Sequence, residues 1–252
     1  MQQEKLLKAF EPNETIRRPA LLSLLSEQYP NAKLTTLDWH IHTLLEQGKL
    51  LRRGRGSYAI VANQPLPSSF DPHLPDELVE TGKRLGRKFA LTTTCVWSTS
   101  VLHSFLQQQP FITYWIVETE RDAVNSVLDC MIHDSVISKL LVPIIRAEDL
   151  MLMERYSPET SIIMLVKPLI SEAPVQQNSA GLTVPTLEKI LVDLVADTDV
   201  FGLFTEELPS LYTKLDSRFI LNQDRLRRYA RRRHKLALIT DYLNYLPTHH
   251  DS

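Results

Sequence analysis

LTTLDWHIHTLLEQGKLLRRGRGSYAIVA, residues 34–62, reads as one helix running straight into a β-ribbon with a basic tip. Thr35 or Thr36 offers a hydroxyl to the first free backbone N–H groups, which places the helix start there. Leu37, Ile41, Leu44 and Leu45 recur at helical spacing and form an apolar stripe, while Asp38, His40, Thr43 and Gln47 face away. Gly48 stands where a left-handed helix stop is wanted. Leu50-Leu51 and Tyr58-Ala59-Ile60 are two short strands joined by Arg52-Arg53-Gly54-Arg55-Gly56. A helix followed at once by a basic hairpin is the DNA-reading half of a winged helix-turn-helix.

The physical case for duplex DNA is local. A recognition helix needs side chains near its N-terminal end that reach base edges, and Thr35, Thr36, Trp39, His40, His42 and Thr43 are available. A wing needs cations that follow phosphates and glycines that let the backbone come close, and Arg52, Arg53 and Arg55 with Gly54 and Gly56 supply both. If all three arginines meet phosphate, each removal lowers the salt slope of binding by about one. A small helical unit with a solvated basic hairpin is the bland alternative, and such folds also serve as protein-binding modules.

Outward from this stretch, residues 1–63 form one unit. Leu6, Leu7 and Phe10 mark a first helix, Pro12-Asn13 a break, and Pro19 opens a second helix through Leu21, Leu22, Leu24 and Leu25. Residues 64–75 are a proline-rich linker, semi-extended by composition. Residues 76–252 form a larger domain. Its helical patterns run Asp76–Phe89 and Ala123–Ile132, and Ser98-Thr99 caps a third through Leu106. Strand-like runs cover Leu91–Trp97, Phe111–Glu118, Leu140–Ile145 and Ser161–Val166. Ser171–Gly181 is a polar loop. From Thr183 onward the chain is helical, with Pro185 at a helix start, Glu206–Leu215 next, and a last helix opened by Asn222 that continues to Leu246. The fold class is α+β: an N-terminal winged helix-turn-helix, then a mixed α/β domain ending in helices.

The net charge of −2 conceals an asymmetry: residues 1–63 carry +3, residues 64–217 carry −10 and residues 218–252 carry +5. Polyanion binding belongs at the two ends, and the acidic middle is better suited to a protein partner. The last helix holds Arg225, Arg228, Arg231, Arg232 and Lys235 on its polar side, a second basic surface open to phosphate or to an acidic partner. Arg233 falls on the apolar side, placed to pair with Asp193 or Glu188. The two cysteines, Cys95 and Cys130, form no pattern and suit a reducing compartment. No run spans a membrane and the first residues carry no signal-like core, so a cytoplasmic protein is expected.

Catalysis is not expected. Glu188, Asp193, Asp197 and Asp199 invite a metal or nuclease reading, because Glu188-Lys189 resembles the end of a restriction-type acidic motif. Such a site needs a second carboxylate converging from a strand. The pattern around Glu188 is helical, so capping and surface roles are expected instead. His40 and His42 lie two apart on a helix and cannot share a metal. No glycine loop cradles a phosphate, so neither metal nor cofactor is expected.

PTLEKILVDLVAD (185–197) followed by an Asn-led helix with LRRYARRR (226–233) resembles the antitoxin of the AbiE abortive-infection systems, AbiEi. The resemblance implies a DNA-binding winged helix that represses the operon's own promoter. It also implies a larger antitoxin domain that counters a nucleotidyltransferase toxin without a stable complex. A protein-interaction module and a metal-dependent nuclease are the competing expectations.

Overall fold

The computed structural model describes residues 15–30, 32–46, 48–60, 68–152 and 161–245. The first helix expected around Leu6 to Phe10 lies outside the described residues, as does most of the linker. The chain is a mixed α+β protein with two separate apolar cores.

The smaller core belongs to the N-terminal unit: β1 (Ile16–Arg17), α1 (Arg18–Gln28), α2 (Leu34–Glu46), β2 (Leu50–Gly54) and β3 (Ser57–Ile60). The strands form an antiparallel sheet in the order β1-β3-β2. Pro19 sits in the first turn of α1, where its missing N–H has no intrahelical partner to lose. Leu21 and Leu25 of α1 meet Leu37, Ile41 and Leu44 of α2 over Leu50, Tyr58 and Ile60. Gly48, at φ 66°, ends α2: its N–H donates to the Leu45 carbonyl and the Lys49 N–H to the Leu44 carbonyl, at 3.0 and 2.9 Å. This paired closure needs a left-handed residue, which glycine takes without a Cβ clash.

The larger core runs from Leu74 to Leu243. It is built on a four-stranded sheet of β4 (Thr94–Ser98), β5 (Thr113–Thr119), β6 (Ile144–Arg146) and β7 (Ile162–Pro168), in the order β4-β5-β7-β6. β4 is antiparallel to β5, whereas β5, β7 and β6 are mutually parallel. α3 (Asp76–Lys88) precedes β4, and α4 (Val124–His133) links β5 to β6. A hairpin of β8 (Val175–Gln177) and β9 (Thr183–Pro185) leads into α5 (Leu187–Ala196), then α6 (Leu208–Arg218), α7 (Gln223–Arg232) and α8 (Leu236–Tyr245).

Several expectations shift. Only the end of the Leu140–Ile145 run is a strand; its start is a 3-10 turn closed by Leu141 at φ 54°. The Ser171–Gly181 loop contains β8, so the chain turns helical after Pro185 and not at Thr183. The single last helix is two, broken where His234 takes a left-handed φ of 56°. The break resets the phase, so Ile239 and Leu243 are buried while Ala237 is exposed. Asn222 does open α7: its side-chain oxygen accepts from the Arg225 N–H at 3.0 Å. The last part of the linker is docked, with Leu74 buried and Ser68 bridged to Phe219. Among the described residues, no helix is long and apolar enough to cross a membrane.

Candidate nucleic-acid interface

The outer side of α2 carries the expected reading residues. Thr35 and Thr36 are exposed, and Trp39 is 62% exposed. His40 stacks on Tyr29 with ring centroids 4.4 Å apart, which fixes its ring at the surface. Thr43 is half-buried and returns its hydroxyl to the Trp39 carbonyl at 3.0 Å, so it offers less to a ligand than expected. Asp38 is held by Arg18, the guanidinium contacting both carboxylate oxygens at 2.6 and 2.8 Å.

The β2–β3 hairpin divides its three arginines. Arg52 and Arg55 are exposed. Arg53 is 2% exposed and turned inward, where the expectation had it on phosphate. The cause is a bulge: Arg52 pairs with Tyr58 and Gly54 with Ser57, leaving Arg53 as the extra residue of β2. An extra residue re-aims its side chain, here toward α6. Its guanidinium meets the Asp216 carboxylate at 2.5 Å. Burial pushes the Asp216 carboxyl above its ordinary range, with Arg53 pulling the other way. At the tip, the Arg55 N–H donates to Asp224 of α7 at 2.5 Å, and a Cβ on Gly54 would lie 2.8 Å from that carboxylate. Gly54 lets the Asp224 carboxylate come close, and Gly56 supplies a positive φ of 69°.

On α7, Arg228, Arg231 and Arg232 are exposed, whereas Arg225 lies 3.5 Å from Glu188 and Arg232 donates to the Ser171 hydroxyl. Lys235 is half-buried in the break before α8. Arg233 pairs with Asp193 at 2.8 Å and also with Asp197.

Those carboxylates are not surface or capping groups, as the helical pattern suggested. Asp193 and Lys189 are fully buried on α5, Lys189 bridging Glu118 of β5 and Asp193 at 2.6 Å each. Lys167 of β7 adds a bond to Asp197 at 2.5 Å, and Tyr229 of α7 donates to Asp193 at 2.9 Å. Burial disfavours the Lys189 charge, but Asp193 and Glu118 more than offset it and hold the ammonium well above its ordinary range. Burial likewise opposes the Asp193 charge, yet Lys189, Lys167 and Arg233 together pull its carboxyl below the usual value. Three carboxylates thus face three cations, with no excess negative charge left for a metal. Glu188 takes the Asn222 N–H at 2.8 Å. Among the described residues, no group of three or more His, Cys, Asp or Glu side chains could hold a metal ion. Cys95 is buried beside this network, and burial followed by the Glu118 charge raises its thiol well above the ordinary range, which disfavours the thiolate. The sequence signal for the network was the i, i+4 pair Lys189 and Asp193 inside an apolar helix.

The chain belongs to DUF6577, a family of unknown function, which matches residues 36–248. No curated protein matches it.

Proposed function

We propose that the chain is a winged-helix DNA-binding regulator that represses its own promoter and acts as the antitoxin of a toxin–antitoxin pair. In this reading α1, α2 and the β2–β3 hairpin form the winged helix-turn-helix. Thr35, Thr36, Trp39 and His40 lie in the major groove, and Arg52 and Arg55 rest on phosphates. The single observation behind it is the placement of exposed polar and aromatic side chains at the start of α2 beside a hairpin with two outward arginines. The antitoxin role, opposing a nucleotidyltransferase toxin, draws on the likeness of residues 185–197 and 226–233 to the AbiE antitoxins. No catalytic role is assigned: of the candidate acids, Asp193 and Asp197 pair with Arg233 and Glu188 with Arg225, and Asp199 is an exposed surface residue.

Fluorescence anisotropy of the full chain on the DNA upstream of its own gene, against random duplex and across a salt series, tests the reading. Tight, salt-steep binding that prefers the upstream fragment is expected. Equal affinity for random duplex, or no binding at low salt, refutes it. A second reading, a protein-interaction module, is favoured by exposed Leu34 and Trp39 at the start of α2, since large apolar side chains there suit a protein surface as well as a groove. It predicts no salt-dependent duplex binding.

A further inference from the structure

Three cavities meet at the carboxyl ends of the parallel strands. The largest, about 600 Å³, is bounded by Thr93 before β4, Glu120 and Arg121 after β5, the Leu169–Ala173 loop after β7, and Arg232 of α7. A second, about 210 Å³, shares Arg121 and adds Arg146 and Lys167. A third, about 300 Å³, shares Glu172 and Arg232 and adds Arg225, Arg228 and Tyr229. The crevice beyond the carboxyl ends of parallel strands is where open α/β sheets hold ligands, and about 300–1,000 Å³ is the usual size of such sites.

The lining selects a chemistry. Arg121, Arg228 and Arg232 have no carboxylate within 4.0 Å among the described residues, so their charge is available to an anion. The wall of the largest cavity is apolar: Leu169, Ile170, Ala173 and Val175 suit a flat ring. Glu120 and Glu172 would repel a bare polyanion, yet they accept from the hydroxyl or amino groups of a sugar or base. Glu120 is already fixed by the Thr93 N–H at 3.1 Å. Glu172 keeps a left-handed φ of 62° that side chains of L residues avoid, a strain typical of loops that present groups to a ligand. Cations, an apolar wall and two acceptors together fit a molecule with a phosphate end, a ring face and hydrogen-bond donors.

We propose that this groove binds a nucleoside phosphate, free or at the end of a strand, with phosphate on Arg232 and Arg228 and the base along the Leu169–Val175 wall. The site is independent of duplex reading by α2 and stands or falls separately from it.

Isothermal titration of the full chain with ATP, GTP, inorganic phosphate and a short 5′-phosphorylated single-stranded oligonucleotide tests the proposal. At least one nucleotide-bearing ligand binds with sub-millimolar affinity. Arg232→Ala and Arg228→Ala each weaken it about tenfold or more, as expected for loss of a charge-assisted bond. Arg231→Ala, exposed on the same helix but outside the groove, leaves it unchanged. Binding of free nucleotide names a small ligand, and binding of the oligonucleotide alone names a strand end; either supports the site. Absence of binding by every nucleotide-bearing ligand at 1 mM overturns the proposal, where about 1 mM marks the weak limit of useful affinity. So does equal affinity for inorganic phosphate, or a response to Arg231→Ala as large as that to Arg232→Ala.

Discussion

Asp216→Ala strikes a contact that ties the β2–β3 hairpin to the larger domain. It leaves the Arg53 guanidinium at 2% exposure, with the Asp216 carbonyl at 3.4 Å as its remaining acceptor among the described residues. Losing one partner of a buried pair costs about 3–5 kcal/mol. The Asp216 side chain is 15% exposed, so water reaches the site and the lower end, about 3 kcal/mol, is expected. At about 2–4 °C per kcal/mol for a chain of this size, the thermal midpoint falls by about 6–12 °C. Arg53→Met costs less, because the stranded carboxyl can take up a proton; burial already holds it above its ordinary range. Arg53→Met with Asp216→Ala removes both charges and restores most of the loss seen in Asp216→Ala. The assay is urea unfolding followed by circular dichroism on all four proteins, read as a double-mutant cycle. A coupling of about 2 kcal/mol or more is expected. Additive single effects, or an Asp216→Ala midpoint within error of the parent, would falsify the buried pair.

The wing itself separates two roles: Arg55→Ala lowers the slope of log affinity against log salt by about one, whereas Arg53→Met leaves it unchanged. An equal loss for both variants places Arg53 on phosphate after all. Gly54→Ala puts a Cβ 2.8 Å from the Asp224 carboxylate, the end of an exposed side chain that turns away at the loss of its bond to the Arg55 N–H, so it costs about 1–2 kcal/mol in the same urea assay; a loss well beyond that of one charge-assisted hydrogen bond contradicts this. Acidification acts in a set order. Asp216, with a folded value above its ordinary 3.8, favours its protonated form in the folded chain. Its own contribution is therefore most favourable at low pH and declines as pH rises through that raised value. Its charge, and with it the ion pair to Arg53, is lost on acidification before an ordinary aspartate titrates. Asp193 is the opposite case: its depressed value contributes stability above about 3.8 that is lost as pH falls through the folded value. Protonation of Asp216 therefore does not part the two cores: as pH falls, small-angle scattering shows no separation ahead of the loss of helical dichroism that follows protonation of Asp193. Separation at a higher pH than the loss of dichroism contradicts the assigned signs.

Much of the N-terminal unit is legible because its cues are local. The stripe Leu37, Ile41 and Leu44 is buried and Gly48 stops α2; in the larger domain, the equally local Asn222 cap opens α7. Arg233 finds Asp193 because a cation on an apolar face has few other solutions. The inward turn of Arg53 has no local cue, since the bulge matters only when Asp216, 163 residues away, receives the side chain. α5 misleads for a related reason. Its polar residues Glu188, Lys189 and Asp193 look like a solvated face, yet every residue from Leu187 to Val195 is buried. The sheet supplies Glu118 and Lys167, and α7 supplies Tyr229 and Arg233, so the polar face is covered by opposite charge. Periodicity reports which side is apolar, and only tertiary pairing reports whether the other side is wet.

The same pairing explains how one basic helix serves three neighbours. At its first turn α7 turns Asp224 to the hairpin tip; its inner side gives Leu226, Tyr229 and Ala230 to the core; Arg225, Arg228 and Arg232 line the groove. Ten residues of helix span about 15 Å, so these contacts move as one rigid piece. The two apolar cores stay separate, and the wing is held through the Arg53–Asp216 pair and the Arg55–Asp224 hydrogen bond. Such contacts are directional and depend on charge, whereas burial of apolar area is neither. The placement of α2 relative to α7 therefore rests on a few directional polar contacts, whereas each core rests on apolar burial.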